Sequence, residues 1–323
     1  MKEKSYQSSI NTDLLAFSDY YKSSVKSNMP LLNIITTYIL KQKGKQIRPV
    51  LVFLSAKICS EVTQSSHTAA LMIELLHTAT LVHDDVVDDS MVRRGAFSIN
   101  ALWKSKTAVL VGDYLLAKGL LVSLDNNEFE LLKTVSEAVK EMSEGELLQM
   151  KKALSNTYSE QEYFDIILKK TASLMAACTK CGAISAGADA LIVNRMHKIG
   201  LLTGIIFQLK DDLMDYQKQK LTGKTTANDL KEKKLTLPLI YALSKAQSPE
   251  GSKILKLLKS DYKSRSIINE IIDFVVKYDG IQYTNKIIEE YKESILKELD
   301  YFEDSEAKSN YNYLINFIIE REK

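Results

Sequence analysis

Four aspartates end an apolar helical stretch in the first third of the chain, within the segment DDVVDD that begins at Asp84. On a helix, Asp84 and Asp88 are separated by about 40° of rotation and roughly 6 Å of rise, so their carboxylates share one face. Like charges at that spacing repel one another and destabilise an isolated helix. A multivalent cation relieves this repulsion, and hard oxygen ligands without a nearby Cys or His set favour Mg²⁺.

The same pattern occurs once more, 127 residues later, where Asp211, Asp212 and Asp215 again follow an apolar run. A single DDxxD segment is typical of a solvated helix face. Two copies, each at the end of an apolar helix and each followed by basic residues, are not explained in that way. The pair of motifs therefore predicts metal binding together with an anionic substrate.

With these motifs, residues 41–243 resemble the all-trans isoprenyl diphosphate synthases, or polyprenyl synthetases. That family has a first aspartate-rich motif followed by Arg-Arg-Gly, matched by Asp84–Asp88 and the segment 93–95. Its second motif, Phe-Gln-x-x-Asp-Asp-x-x-Asp, is matched by Phe207–Asp215, and its Gly-Lys-x-x-Arg-Pro by Gly44–Pro49. The resemblance implies prenyltransferase activity, Mg²⁺ (three ions bridging the diphosphate, with Mn²⁺ as a substitute) and a homodimer.

Composition predicts an all-α fold in a single domain covering residues 1–323. The chain contains only 12 Gly and 4 Pro, and apolar residues recur at helical spacing almost throughout. The 43 basic and 41 acidic side chains leave a formal net charge of +2, which excludes a global basic field for nucleic acid. The N-terminus lacks an apolar signal segment, and no run of eighteen apolar residues occurs, so a soluble, cytoplasmic protein is expected.

The three cysteines, Cys59, Cys178 and Cys181, also fit a reducing compartment. The CxxC formed by the last two has neither a second pair nor a histidine at ligand spacing. We interpret both as small residues for helix packing.

The loop around Gly44 joins two predicted helices and contains cations just before a helix N-terminus, a favourable place for phosphate. A basic cap on the preceding helix is the alternative interpretation. The resemblance implies that Lys45, Arg48 and His77 bind the diphosphate of isopentenyl diphosphate. It also divides the arginine pair, with Arg93 directed to the allylic diphosphate and Arg94 to isopentenyl diphosphate.

Further residues are assigned by resemblance in the second half of the chain. Lys170 and Thr171 are expected at the reacting centre, although a surface lysine pair is the alternative interpretation. Gln208 is expected to stabilise an allylic cation, and Lys224 and Lys234 to bind diphosphate. Lys233 stands where the family usually has glycine, so the turn at that position is in question.

The acid-tipped helices, predicted at 66–90 and 190–216, are expected to face one another in one helical bundle around a central cavity, as in isoprenoid synthases. Asp84, Asp88 and Asp211 are expected as direct metal ligands. Asp85, Asp212 and Asp215 are expected to act through water or through neighbouring ligands.

The size of the side chains about one turn before Asp84 predicts the length of the product. Ala79 and Thr80 are small, whereas family members that stop early usually carry a bulky aromatic there. A growing chain can therefore pass this level, and a product of about six to eight five-carbon units is expected. Products of this kind serve as quinone side chains, so delivery to a membrane is also expected. A short-chain synthase, a terpene cyclase, a non-catalytic subunit and a purely structural helical protein are the alternatives.

Overall fold

The computed structural model describes residues 6–42, 44, 46–93, 95–153, 159–216, 227–260 and 264–321. Nearly all of them are helical, which confirms the all-α prediction. The two short strands form an antiparallel hairpin in which Val92 pairs with Phe97. The elements are α1 (Asn11–Ser24), α2 (Pro30–Lys41), α3 (Ile47–Cys59), α4 (Gln64–Val87), β1 (Val92–Arg93), β2 (Ala96–Phe97), α5 (Ile99–Asp125), α6 (Phe129–Ala153), α7 (Glu160–Ile167), a π-helical turn (Leu168–Ala172), α8 (Ser173–Ser185), α9 (Ala190–Met214), α10 (Asn228–Lys231), α11 (Leu237–Lys245), α12 (Ser248–Lys259), α13 (Arg265–Lys277), α14 (Gly280–Leu299) and α15 (Glu306–Glu320).

The chain divides into two compact units. The first comprises Met1–Val139, Met175–Gly200 and Phe302–Tyr313, and the second comprises the remaining segments. In the first unit, α4 packs along α5, and its apolar residues Leu71–Ile73, Leu75 and Leu76 are buried. In the second unit, buried residues of α11, α12 and α13 form a core cluster. A single functional domain stays a prediction.

Several helix boundaries lie where local chemistry predicts them. Pro30 begins α2, where its missing N–H costs no hydrogen bond. A capping box begins α4, because the Thr63 side chain accepts from the Ser66 N–H and the Ser66 hydroxyl accepts from the Thr63 N–H. Cys178 and Cys181 are free and buried in α8. The π-helical turn joins α7 directly to α8.

Helix α5 contains a break at Lys104, whose backbone has φ 70° and ψ 160°. This region of backbone space is essentially restricted to glycine, because a Cβ atom is crowded there. Lysine at this position therefore stores strain of about 1–3 kcal/mol.

Replacing Lys104 with glycine should stabilise the protein. The relieved strain exceeds the roughly 0.5–1 kcal/mol that the extra freedom of glycine costs in the unfolded chain. We expect urea denaturation to give a higher unfolding free energy for Lys104→Gly. Lys106→Gly, in the helical part of α5, is the matched control and should destabilise by about 1 kcal/mol. A Lys104→Gly protein no more stable than its parent would contradict the assignment of strain.

Helices α5 and α9 are long and apolar enough to span a membrane by length and composition. Both nevertheless make close packing contacts within the protein. A Cβ atom on Gly119 of α5 would lie 3.2 Å from Leu76 Cγ, and one on Gly204 of α9 would lie 2.4 Å from Ala172 Cα. Such glycines allow neighbouring helices to approach closely, so these apolar faces serve helix packing.

Candidate active site

The first acidic motif lies at the C-terminal end of α4. Asp88 follows the last helical residue, and its N–H donates to the Asp84 carbonyl over 2.8 Å. The side chains of Asp84 and Asp88 are exposed and one helical turn apart. The spacing predicted from the sequence is therefore present, and both carboxylates are accessible to an ion.

Asp85, between them in sequence, is buried and paired with the hairpin. The Arg93 guanidinium donates to Asp85 Oδ1 from Nε (2.8 Å) and Nη2 (2.6 Å). Asn100 Nδ2 donates to the Asp85 carbonyl and to Asp89 Oδ1, each over 3.3 Å. These contacts hold Arg93 beside the acidic motif, where a diphosphate could share its donors. Arg94 lies outside the described residues.

The basic loop leads into α3 through Gln46, which has a left-handed backbone with φ 50°. Arg48 is half-buried in the first turn of this helix, and Lys45 lies outside the described residues. Asp85, Arg93 and Gln46 all line one pocket in the first unit. The structure thus brings the basic loop, the acidic helix and the hairpin to the same pocket.

The residues assigned to substrate binding and product length occupy the preceding turns of α4. His77 is buried, and its carbonyl accepts a hydrogen bond from the Thr80 hydroxyl over 2.8 Å. Ala79 is only 1% exposed, whereas Thr80 is half-buried. Thr80 precedes Asp84 by four residues and so lies close to its face of the helix, while Ala79 is turned away by about 140°. Of the two, Thr80 is therefore the better placed to meet a substrate tail.

In the second unit, the π-helical turn presents Lys170 and Thr171. A wide turn of this kind inserts an extra residue into a helix and is frequent at functional sites. Gly145 of α6 packs against it, since a Cβ there would lie 2.7 Å from the Lys170 backbone nitrogen. The Lys170 ammonium donates to Gln149 Oε1 over 2.7 Å and pairs with Glu146.

A chain of hydrogen bonds connects Thr171 to the second acidic motif. The Thr171 hydroxyl donates to Gln208 Oε1 (2.8 Å), and Gln208 Nε2 donates to Asp212 Oδ1 (2.8 Å). The Tyr163 hydroxyl donates to Asp212 Oδ2 over 2.6 Å. Burial raises the pKa of Asp212 to about 8, with a further contribution from Asp229, while the hydrogen bonds from Tyr163 and Gln208 act in the opposite direction.

These residues and Lys234 line a pocket of about 120 Å³ in the second unit. Its wall also includes Gln149. The pocket places the ammonium groups of Lys170 and Lys234 in its lining, together with hydroxyl groups such as that of Thr171 and the amides of Gln149 and Gln208. Such a set suits an anionic leaving group together with an electron-poor carbon.

Asp211, predicted as a direct metal ligand, is paired with a residue near the C-terminus. The Arg321 Nη2 lies 2.7 Å from Asp211 Oδ1, and the guanidinium stacks 3.8 Å from the centre of the Phe207 ring. Burial lowers the pKa of Arg321, and the Asp211 carboxylate opposes that shift. This ion pair keeps the Asp211 charge compensated in the protein without metal.

The third carboxylate of this motif, Asp215, accepts a hydrogen bond from the Asp229 backbone N–H over 2.6 Å. Lys234 forms ion pairs with Asp229 (3.5 Å) and Glu232 (2.5 Å). Lys233 adopts a left-handed backbone with φ 62°, so the turn that glycine would favour is formed by lysine. Lys224 lies outside the described residues.

The donor set fits magnesium. Across the described ranges, from residue 6 to 321 with their gaps, no three Asp, Glu, His or Cys side chains are grouped as a complete metal site. Mg²⁺ is usually bound by one or two carboxylates together with substrate phosphates and water. The exposed Asp84 and Asp88 and the partly exposed Asp211 supply such carboxylates.

Comparison with known families decides which chemistry this arrangement serves. Residues 29–275 match the model of the polyprenyl synthetase family. The chain belongs to the polyprenyl synthetase family. It is accordingly a trans-prenyltransferase of isoprenoid biosynthesis, as the resemblance implied.

Three related proteins show the range of the polyprenyl synthetases. The octaprenyl diphosphate synthase of Escherichia coli is 30% identical over 300 residues, covering 93% of each chain. A polyprenyl synthase from Caulobacter crescentus, solved with calcium and isoprenyl diphosphate, superposes with a TM-score of 0.91 at 26% identity, covering 99% of this chain and 98% of its own. A geranylgeranyl pyrophosphate synthase from Bacteroides thetaiotaomicron superposes with a TM-score of 0.85 at 34% identity, covering 99% of this chain and 100% of its own. The relatives thus include long-chain and shorter-chain enzymes.

Two residues of this synthetase were not found from the sequence. Tyr163 lies 49 residues from Asp212 along the chain, and Arg321 lies 110 residues from Asp211. Neither belongs to a motif, and a single Tyr or Arg is common in helices. Only the tertiary structure reveals these contacts.

Proposed function

We propose that the enzyme catalyses the Mg²⁺-dependent head-to-tail condensation of isopentenyl diphosphate with an allylic diphosphate, and that its product is a long all-trans polyprenyl diphosphate. The observation that carries this proposal is the exposed pair Asp84 and Asp88, one turn apart beside Arg93. Carboxylates in this arrangement bind a cation, and the arginine supplies donors for phosphate oxygens.

Departure of the allylic diphosphate is the step that the charged residues assist. Asp84 and Asp88 in the first unit, and Asp211 in the second, would each hold Mg²⁺, which would supply positive charge to neutralise the leaving group. Arg93 and Lys170 add fixed positive charge. Thr171 and Gln208 present oxygen dipoles toward the allylic cation.

The second substrate is assigned to Lys45, Arg48, His77 and Arg94. The isopentenyl double bond attacks the allylic carbon, and a proton is then lost from the adjacent carbon. No side-chain base is assigned to that proton, so the released diphosphate is the acceptor in this proposal. Lys224 and Lys234 assist in holding the allylic diphosphate.

A long product, of about six to eight five-carbon units, is favoured by the small side chain of Thr80 beside the acidic motif. A short-chain synthase, making farnesyl or geranylgeranyl diphosphate, is the second candidate, because relatives of both lengths occur. A terpene cyclase has no use for the isopentenyl-binding residues. A non-catalytic subunit is disfavoured because both acidic motifs are complete.

We further propose that the enzyme is a cytoplasmic homodimer that delivers its product to a membrane. One side of α5 exposes large apolar residues that a second copy could cover. They are Leu102, Val109, Leu110, Leu121 and Leu124.

Product sizing tests the proposed function. The purified protein is incubated with Mg²⁺, labelled isopentenyl diphosphate and farnesyl diphosphate, and the dephosphorylated products are separated by reverse-phase chromatography. Label in alcohols of about six to eight units supports the proposal. Label confined to three or four units would instead identify a short-chain synthase, and no incorporation would contradict the condensation itself.

Substitutions at Arg48 and Lys170 should have different kinetic effects, because the two residues are assigned to different diphosphate substrates. Arg48→Ala removes a contact with a part of isopentenyl diphosphate that does not react, so it should raise that Michaelis constant about tenfold or more with little loss of turnover. Lys170→Ala removes charge stabilisation at the leaving group and should lower turnover about a hundredfold. Initial rates over a grid of both substrates measure the two effects. If Arg48→Ala changed only the allylic Michaelis constant, the assignment of the two sites would be reversed.

A further inference from the structure

Gln208 has one defined orientation in the hydrogen-bond chain of the second unit. Its amide nitrogen donates to Asp212 Oδ1, and its oxygen accepts from the Thr171 hydroxyl, each over 2.8 Å. An amide carries its donor and its acceptor on opposite corners, so fixing one corner fixes the other. The orientation of the Gln208 dipole therefore depends on what faces its nitrogen.

Asp212 Oδ1 accepts a hydrogen bond in this geometry, and an accepting oxygen selects the N–H corner of Gln208. The carboxylate is 2% exposed, and its second oxygen is occupied by the hydroxyl of Tyr163, itself 3% exposed, over 2.6 Å. Without this donor, Asp212 Oδ2 would lose the hydrogen bond from Tyr163 in a buried position. The carboxylate would then be free to rotate toward other donors, and its contact with Gln208 would weaken.

The dipole of Gln208 matters because it faces the reaction pocket. Gln208, Thr171 and Lys170 line the same pocket, together with Tyr163 and Asp212. In the observed orientation the carbonyl oxygen lies beside the Thr171 hydroxyl, and its remaining lone pair offers negative potential. A flipped amide would direct N–H groups at the same space and would disfavour a developing cation.

We propose that Tyr163 is a positioning residue for prenyl transfer, which acts through Asp212 to hold the Gln208 carbonyl toward the allylic cation. This inference rests on the proposed condensation reaction. It gives Asp212 a role that differs from metal binding: the carboxylate orients an amide. Tyr163 itself touches neither the substrates nor the metal in this proposal.

Tyr163→Phe removes the hydroxyl alone and tests the proposal. Turnover in the first condensation should fall about tenfold, because the transition state loses an oriented dipole. The Michaelis constants of both substrates and the Mg²⁺ concentration for half-maximal rate should remain within about twofold of wild type. Tyr283→Phe is the matched control, since its hydroxyl donates to the Glu160 carboxylate over 2.7 Å in the same unit.

The pattern of results distinguishes this role from others. An unchanged turnover for Tyr163→Phe, in an active wild-type background, would overturn the proposal but leave the proposed function intact. A tenfold or larger shift in the Mg²⁺ requirement would also overturn it, because Asp212 would then act on the metal. Loss of helical circular dichroism or of the thermal transition would assign the hydroxyl to folding, which is likewise contrary to the proposal. An inactive wild type would instead refute the condensation reaction.

Discussion

Asp84→Ala and Asp211→Ala are each expected to lower prenyl-transfer turnover about a thousandfold, because each removes a carboxylate assigned to the metal. The effect is large since the leaving diphosphate needs charge neutralisation in the transition state. Steady-state rates at saturating Mg²⁺ and both substrates measure it. Asp273→Ala, at an exposed position on α13, is the control and should retain full activity.

The two variants should differ in stability without metal. Asp84→Ala relieves repulsion with Asp88 and should raise the unfolding free energy by roughly 0.2–0.5 kcal/mol. Asp211→Ala leaves the buried Arg321 without the carboxylate that it contacts at 2.7 Å, so it should lower the melting temperature. Near wild-type turnover in either variant would refute the metal assignment for that motif.

Thr80→Phe should shorten the product to about three or four five-carbon units while sparing the first condensation. Thr80 is half-buried and lies one turn before Asp84, so an aromatic ring there blocks the path of a growing tail. Ala79→Tyr should act in the same direction, but Ala79 is 1% exposed and a ring there must displace neighbouring side chains. Chromatography of the dephosphorylated products measures the change.

Thr80→Val is the matched control for product length. It removes the hydroxyl that donates to the His77 carbonyl but keeps the size of the side chain. We therefore expect Thr80→Val to preserve the wild-type product. Unchanged products from both Thr80→Phe and Ala79→Tyr would contradict the idea that the growing chain passes this level of α4.

The fold class and the acidic motifs could be predicted from the sequence, because both depend on the spacing of nearby residues. Asp84 and Asp88 lie one turn apart at a helix end, as a 3.6-residue period requires. Pro30 begins α2 and Thr63 caps the start of α4, and both effects depend only on residues close by in the sequence. The motif Phe207–Asp215 likewise ends its helix where predicted.

Features that depend on tertiary contacts could not be predicted from the sequence. The π-helical turn at Lys170 adds one residue to a helix and leaves the apolar pattern almost unchanged, so periodicity does not detect it. Gly145 permits that turn to approach α6, but glycine in a helix has many possible reasons. Tyr163 and Arg321 acquire their roles only through partners far away in the chain.

Calorimetric titration of Mg²⁺ into the protein with inorganic diphosphate tests most directly the claim that both acidic motifs bind the metal–diphosphate group. Wild-type protein should bind diphosphate only with Mg²⁺, and Asp84→Asn and Asp211→Asn should each weaken this binding about tenfold or more. Diphosphate binding that is independent of Mg²⁺, or that either substitution leaves unchanged, would contradict the claim.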